Sequence, residues 1–379
     1  MKIILFYCCL CLLINNALAQ QTINASITHD NMQRDYILYV PASYDGTTAV
    51  PLLFNFHGYT SNATQQLVYG DFRPIADTAG FIIVHPQGTL DNTGTTHFNV
   101  GFGGSTTDDV GFTSALLDTL ISQYEINEER VYSTGMSNGG YMSFHLACNL
   151  SDRIASVASV TGAMVPATLN NCGATHTTPI LQIHGTNDGT VPYNGGVWSS
   201  SIDDVLNHWV TYNGCVSTPV VASVTDLSTT DGSTVERISY TDANGCTLVK
   251  HYKITNGGHT WPGSIVNLPG TNYDIDASKE VWDFVSQFDI NGLIGNCQPL
   301  GLDESLTNPF SLAPNPSNDL LIVNGLSQEF EAQLLNSQGK VILNKTIDPS
   351  NNSIDVSELP AGNYVLKLGT QSLKVAVMH

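Results

Sequence analysis

Gly135-Met136-Ser137-Asn138-Gly139-Gly140 follows a strand-like run at Val131–Ser133 and opens a helical stretch from Tyr141 to Cys148. The spacing fits G-x-S-x-G, in which a serine occupies a sharp strand-to-helix turn and flanking glycines remove side chains that would collide with strand and helix. A serine hydroxyl is a poor nucleophile at neutral pH until a base takes its proton and a carboxylate orients that base. In strand–turn–helix sites of this kind the acid and then the histidine come later in the chain. Asp188 stands in the loop after the apolar run ending Ile183-His184-Gly185, and His259 stands in Gly257-Gly258-His259-Thr260-Trp261-Pro262-Gly263 after the strand-like Lys250–Thr255. Ser137, Asp188 and His259 are therefore expected as nucleophile, acid and base; the competing reading is an ordinary glycine-rich turn.

An acyl-transfer intermediate needs two backbone N–H donors, one from the residue after the nucleophile and one from a loop after an early strand. Asn138 supplies the first, and Tyr59, in His57-Gly58-Tyr59-Thr60, is expected to supply the second. Trp261, two residues after His259, and Tyr59 could wall the acyl pocket with rigid aromatic surface; for Trp261 the alternative is plain core packing. Asp108 and Asp109 precede the serine, so they read as a helix N-cap and a loop brace. His57 and His184, each before a glycine at a strand end, read as loop-shaping hydrogen-bonders. Neither CxxC nor HExxH occurs and the cysteines are scattered, so no metal site is expected; no cofactor is expected either.

The elements that must carry these residues alternate. Pro51–Phe56, Phe81–Val84, Arg130–Ser133 and Pro179–Ile183 are nearly continuous apolar runs, as in strands buried on both faces of a parallel sheet. Leu116, Leu117, Leu120, Ile121 and Tyr124, and again Val281, Trp282, Phe284, Val285 and Phe288, recur at helical spacing. The fold class is α/β, with right-handed crossovers. Composition shifts near residue 297: prolines break the chain, and the remaining residues alternate with period two, as in a small all-β sandwich with hairpin turns at Ser337-Gln338-Gly339 and Gly369-Thr370-Gln371. The expected organisation is a signal peptide at 1–19, an α/β domain at 20–297, a linker at 298–307 and a β-sandwich at 308–379.

The leader reading rests on Lys2, the apolar Ile3–Ile14 and the small-x-small Ala17-Leu18-Ala19. Twelve apolar residues reach ~18 Å, short of a ~30 Å hydrocarbon core, so an exported chain with no membrane span after cleavage is expected. Of eight cysteines, Cys8, Cys9 and Cys11 leave with the leader. Sequence neighbours suggest Cys148–Cys172 and Cys215–Cys246, with Cys297 left over, although five cysteines allow about fifteen two-bridge pairings. The 379 residues carry 13 Lys+Arg against 33 Asp+Glu, a net charge of −20, which repels a nucleic-acid backbone and an anionic lipid surface alike.

Six spaced motifs together resemble the polyhydroxybutyrate depolymerase and feruloyl esterase group of carbohydrate esterase family 1: His57-Gly58, His85-Pro86-Gln87-Gly88, Asp108–Phe112, Gly135–Gly140, His184–Tyr193 and Gly257–Gly263. The resemblance spans residues ~30 to 290 and implies an α/β-hydrolase fold, a secreted carboxylic-ester hydrolase and the triad already read from the residues; a Cys215–Cys246 bridge also looks like one seen in that group. Met136 and Thr260 stand where the tannase-like members have a bridging cysteine pair, which sets that subtype aside. Ala313-Pro314-Asn315-Pro316, Leu335–Gly339 and Leu359–Val365 resemble a type IX secretion sorting domain, without the strongly basic last residues common in such tails. The other reading of this segment, a carbohydrate-binding sandwich, is disfavoured by its few aromatics, Phe310, Phe330 and Tyr364.

The leading expectation is thus an extracellular or cell-surface serine esterase acting on a polymer-linked ester, with the secretion machinery as partner of the C-terminal segment. A feruloyl ester on a plant polysaccharide ranks first as substrate and polyhydroxybutyrate oligomers second. The alternatives are an acetyl xylan esterase or a non-catalytic carbohydrate-binding protein on the same scaffold.

Overall fold

The computed structural model describes residues 20–295 and 310–377, apart from 316, 327, 337–339, 361 and 369–370. The expected leader at 1–19, the linker at 298–307, Cys297, the Ser337-Gln338-Gly339 turn and most of the Gly369-Thr370-Gln371 turn lie outside these residues. The chain forms two compact units that divide near residue 300.

The first unit is built on one ten-stranded sheet. Its strands in chain order are β1 (Gln21–His29), β2 (Met32–Val40), β3 (Val50–Phe56), β4 (Ile82–Pro86), β5 (Ile126–Met136), β6 (Ser156–Val160), β7 (Ile180–Gly185), β8 (Val220–Ser223), β9 (Thr234–Thr241) and β10 (Thr247–Thr255). They lie in the order β1-β2-β4-β3-β5-β6-β7-β10-β9-β8. The six central strands are parallel, and antiparallel pairs extend both edges. The continuous apolar runs become strands buried on both faces: Leu52, Phe54 and Phe56 enter one apolar layer and Leu53 the other, because successive side chains alternate across a strand.

Helices cover both faces: α1 (Ala63–Tyr69), α2 (Arg73–Ala79), α3 (Asp109–Gln123), α4 (Asn138–Asn149), α5 (Pro166–Asn170), α6 (Ile202–Tyr212) and α7 (Ala277–Val285). Helix α3 buries Leu116, Leu117 and Leu120 with Phe144 of α4 and Trp209 of α6. Helix α7 buries Val281, Trp282 and Phe284 in the opposite layer, and Trp282 stacks on Phe81 at 3.6 Å between centroids. Asp108 caps α3 by accepting a hydrogen bond from the Gly111 amide at 2.8 Å. Asp109 turns inward to pair with Arg34 of β2, both fully buried, and accepts from the Asn99 amide at 2.7 Å. The Arg34 guanidinium lies 3.8 Å over the Phe112 ring. The two aspartates thus cap and brace.

Cys148 and Cys172 form a disulfide across 24 residues, a closure that stabilises by about 3 kcal/mol in the chain-entropy model. The expected Cys215–Cys246 bridge is not formed. Cys215 is a free thiol, and Cys246 is disulfide-bonded but not to Cys215. Burial and then the charge of Asp242 push the Cys215 thiol up to about 11, so it stays protonated. Sequence proximity misled here because bridging depends on which side chains converge in space.

The second unit is a pair of antiparallel sheets formed by β11 (Ser311–Ala313), β12 (Leu320–Asn324), β13 (Phe330–Leu335), β14 (Val341–Ile347), β15 (Ser353–Asp355), β16 (Gly362–Leu368) and β17 (Gln371–Val377). One sheet runs β11-β12-β15 and the other β14-β13-β16-β17. Tyr364, Leu366 and Leu368 point into its own apolar core while Val365 and Lys367 face solvent, as period-two alternation requires. Phe310 and Tyr364 are buried there and Phe330 packs edge-on against Phe310, so none of the three forms an exposed sugar platform.

Candidate active site

The parallel strands deliver the candidate residues to one edge. The loops after β3, β5, β7 and β10 begin at His57, Ser137, Thr186 and Asn256, all at the carboxyl ends of strands, where open α/β sheets place ligand sites.

Ser137 has φ +54° and ψ −118°, a backbone region that non-glycine residues rarely occupy. Its neighbours explain how the turn is tolerated. A Cβ on Gly135 would lie 2.5 Å from the Phe56 carbonyl oxygen, and one on Gly139 would lie 2.1 Å from that same atom. Only glycine lets α4 start this close to β3. The Ser137 amide donates to the Val160 carbonyl at 2.8 Å, and its carbonyl accepts from Tyr141 at 3.0 Å. The hydroxyl makes no capping bond to α4, so it remains uncommitted.

The Asn138 side chain clamps Phe98, accepting from its amide at 2.7 Å and donating to its carbonyl at 3.0 Å. Among the described residues, the backbone amides of Asn138 and Tyr59 find no acceptor. Gly58 brings the Tyr59 loop into contact with Ser137, since a Cβ there would sit 3.4 Å from Ser137 Cβ. The geometry therefore leaves two free donors beside the Ser137 turn. The Tyr59 ring stands at the surface, its hydroxyl donating to Asp91 at 2.7 Å.

Asp188 is buried and its carboxylate is fully committed. Oδ1 accepts from the Thr190 and Val191 amides, both at 2.8 Å. Oδ2 lies 2.7 Å from His259 Nδ1 and 3.4 Å from His184 Nε2. Burial by itself would raise this carboxyl, but the hydrogen bond from His259 with its charge, the Val191 amide and His184 outweigh it and hold the pKa below the ordinary aspartate value. A carboxylate only accepts, so His259 Nδ1 carries the proton and Nε2 presents a lone pair. The two loops are zipped together: Asn187 donates to the Gly257 carbonyl at 3.0 Å, Thr186 donates to Ile254 at 2.8 Å, and a Cβ on Gly185 would lie 2.2 Å from the Gly257 carbonyl oxygen.

The structure thus joins Asp188 to His259 and sets Ser137 and Tyr59 on the same edge. No hydrogen bond joins Ser137 Oγ to His259 among the described residues; catalytic contacts of this kind often tighten only with substrate bound. The competing histidines are otherwise occupied. His57 accepts from the Gly88 amide on Nε2 at 2.9 Å and donates from Nδ1 to the Gly58 carbonyl at 2.8 Å, and burial holds its pKa down to about 4. His184 is buried between Val191 and Asp188, and burial lowers its pKa too. Both shape loops. The sequence offered no sign that His184 also touches the acid.

Trp261 corrects an expectation. It is 1 % exposed, lies edge-on to Phe72 at 6.0 Å and donates from Nε1 to Ser278 at 3.1 Å. Its indole belongs to the apolar layer with Phe72 and offers no wall to a substrate. Spacing from His259 set its place in the loop, while the Trp261 amide donating to the Tyr69 hydroxyl at 3.0 Å holds the residue against the apolar layer. The cluster with metal-ligand spacing among the described residues is His29, Asp30 and Asp108 at the exposed start of α3, far in the chain from the candidate triad.

Residues 106–213, which include Ser137 and Asp188, match the phospholipase/carboxylesterase family model, and residues 311–377 match the secretion system C-terminal sorting domain. Similar proteins include the bifunctional acetylxylan esterase/xylanase of Neocallimastix patriciarum, 26% identical with 76% of this chain and 38% of that protein covered. Feruloyl esterase B of Piromyces equi is 28% identical, with 68% and 46% covered. A probable feruloyl esterase C of Aspergillus clavatus is 29% identical, with 60% and 75% covered. The chain thus spans less than half the length of the first two. Among the described residues no helix is long and apolar enough to cross a membrane. Residues 106–213 are thus similar to the phospholipase/carboxylesterase family and residues 311–377 to the secretion sorting domain, and that C-terminal tail places the chain outside the cell or at the cell surface.

Proposed function

We propose that the chain is a secreted serine ester hydrolase that works through an acyl-enzyme, with Ser137 as nucleophile, His259 as base and Asp188 as its orienting acid. The observation that carries this reading is the 2.7 Å Asp188–His259 hydrogen bond on the edge where Ser137 occupies its strained turn. Ser137 Oγ attacks the ester carbonyl as His259 Nε2 takes the hydroxyl proton. The oxyanion settles on the Asn138 and Tyr59 amides, whose free N–H groups are already in place. Collapse releases the alcohol, which receives the proton from His259. Water then attacks the acyl-serine with the same base, returning Ser137 and a carboxylic acid.

A feruloyl ester attached to a plant polysaccharide is the preferred substrate. The names of two of the relatives above support it, as do the acidic surface and exported location, which suit a soluble extracellular polymer. Product analysis with methyl ferulate, acetylated xylan and polyhydroxybutyrate oligomers side by side tests the reading. Release of ferulate at the highest kcat/KM supports it, preferential release of acetate reassigns the substrate, and hydrolysis of none removes the enzyme reading.

A further inference from the structure

We propose that Phe102 and Trp198 form the acyl-binding shelf of this site, taking the planar aryl ring of a hydroxycinnamoyl group; the proposal rests on the ester-hydrolase reading and deepens it. The role expected of Trp261 is thereby given to two residues remote from His259 in sequence.

Three observations converge. First, Phe102 and Trp198 are 41% and 46% exposed, yet their rings pack edge-to-face at 5.6 Å, and Phe102 also packs at 4.9 Å on the buried Tyr141. Exposed large aromatics from two different loops that converge in this way form an apolar patch of the kind that marks binding sites. Second, both loops are tied to the nucleophile helix. The Phe102 loop starts at Phe98, held by the Asn138 side chain, and is fixed again by Asn99, which donates to Asp109 and to the Thr107 carbonyl. The Trp198 loop is held by the hydrogen bond between Ser199 and the Tyr141 hydroxyl and by Ser200 donating to the Met164 carbonyl at 2.9 Å. The shelf is therefore built before any ligand arrives, which lowers the ordering cost of binding.

Third, its side of the site is the acyl side. His259 must hand its proton to the departing alcohol, so the alcohol leaves toward His259. The His259 loop continues through Trp261 into the apolar layer with Phe72, whereas Tyr141 belongs to the opposite layer with Phe98 and Val100. The acyl group is thus directed toward Tyr141. Tyr141 stands four residues after Ser137, about 6 Å along the helix axis at 1.5 Å per residue. With the rings packed on Tyr141, a two-carbon acyl group is expected to stop short of them and an aryl ring at the end of a three-carbon chain to reach them.

The test compares two methyl esters with one leaving group, methyl ferulate and methyl acetate, in the full chain. The ratio of their kcat/KM values falls at least tenfold in Trp198→Ala and in Phe102→Ala, is largely kept in Trp198→Phe, and is unmoved in Leu227→Ala, an exposed apolar control. An unchanged ratio in both alanine variants overturns the shelf. So does a loss seen only on a feruloylated oligosaccharide, which assigns the rings to the alcohol side. If the wild-type chain hydrolyses neither ester, the hydrolase reading fails separately, and calorimetry with ferulate still reads the shelf: binding to Ser137→Ala weakens at least fivefold when Trp198→Ala is added, and equal affinity overturns the proposal.

Discussion

The loop edge of the α/β unit and the C-terminal sandwich treat backbone strain in opposite ways. Thr60, Ser137, Thr161 and Asn256 all have positive φ without being glycine, and each follows the carboxyl end of a parallel strand, β3, β5, β6 or β10. Among the described residues of the sandwich the left-handed position is Gly325. Such conformations cost about 1–3 kcal/mol each and persist only where the surroundings over-determine them. The surroundings here are glycine contacts and inter-loop hydrogen bonds: a Cβ on Gly162 would lie 2.7 Å from the Ser137 carbonyl oxygen, and the Asn256 amide donates to Thr186 Oγ1 at 2.9 Å. The described core of the sandwich, with Leu321, Val323, Leu334 and Leu366, follows from alternation alone. Among the described residues, positive-φ positions without glycine thus gather on the edge that carries the candidate residues and not in the sandwich.

That contrast breaks if the strained edge is not the reacting edge. Ser137→Ala is expected to lower kcat by on the order of 10⁴–10⁶ with an unchanged thermal midpoint, since binding and oxyanion stabilisation alone remain. His259→Ala should cost about as much. Activity within tenfold of wild type in either variant removes the assignment. Asp188→Asn should cost up to about 10⁴ by disturbing the imidazole tautomer. Asp108→Asn, which alters an exposed helix cap, should leave kcat nearly intact; the reverse pattern would make Asp108 the acid.

Asp188 also carries a signature in pH. Its folded pKa is depressed below an unfolded value near 3.9, so its contribution to stability is present above that unfolded value and lost as pH falls through the folded one. Between those two pH values the unfolded chain binds more protons and stability rises with pH. Denaturant unfolding of Asp188→Asn across that acid window should show a flatter pH dependence than wild type. Equal slopes would mean that the carboxylate is not held by His259.

Smaller effects separate close packing from mere nearness to the site. Gly139→Ala puts a methyl against the Phe56 backbone at 2.1 Å, and rigid backbone cannot give way, so a stability loss of about 3 kcal/mol is expected. Gly189, beside the acid, has open space around its Cβ and no positive φ, and Gly189→Ala should stay within about 0.5 kcal/mol. Similar losses in the two would show that the whole edge is strained, not the elbow contacts alone.

Much of this was readable in the chain. The buried runs at 51–56 and 179–183 became central strands because a strand covered on both faces must be apolar throughout. Ser137, Asp188 and His259 could be singled out as candidates because open α/β sheets gather such groups in the loops at the carboxyl ends of strands, where chain order and a glycine pattern locate them. The antiparallel edge strands β1, β8 and β9 are half-exposed and carry no continuous apolar run, so periodicity does not reveal them, whereas β2 carries the buried run Tyr36–Val40. The choice between pocket wall and core packing for Trp261 was not readable for a related reason: in irregular loops no period links sequence position to side-chain direction. The Cys215–Cys246 pairing failed likewise, since separation along the chain says nothing about which thiols converge.

The smallest expected effect concerns the sandwich. Ending the chain after residue 305 should leave kcat/KM on small esters within about twofold and the unfolding midpoint of the α/β unit unchanged. Every candidate catalytic residue precedes that point, and the sandwich has an apolar core of its own built from residues 310–377. Deleting it therefore removes a self-contained core, whereas deleting a few residues from within either sheet would leave apolar area exposed at about 25 cal/mol per Å². What should fail is delivery, because residues 311–377 match the sorting domain; enzyme retained inside expressing cells, active on lysis, is the expected phenotype. Measuring kcat/KM and the midpoint on the purified shortened chain reads the contrast directly. Loss of activity or folding on truncation would show that the sandwich supports the strained edge, and the division of labour between the two units would have to be abandoned.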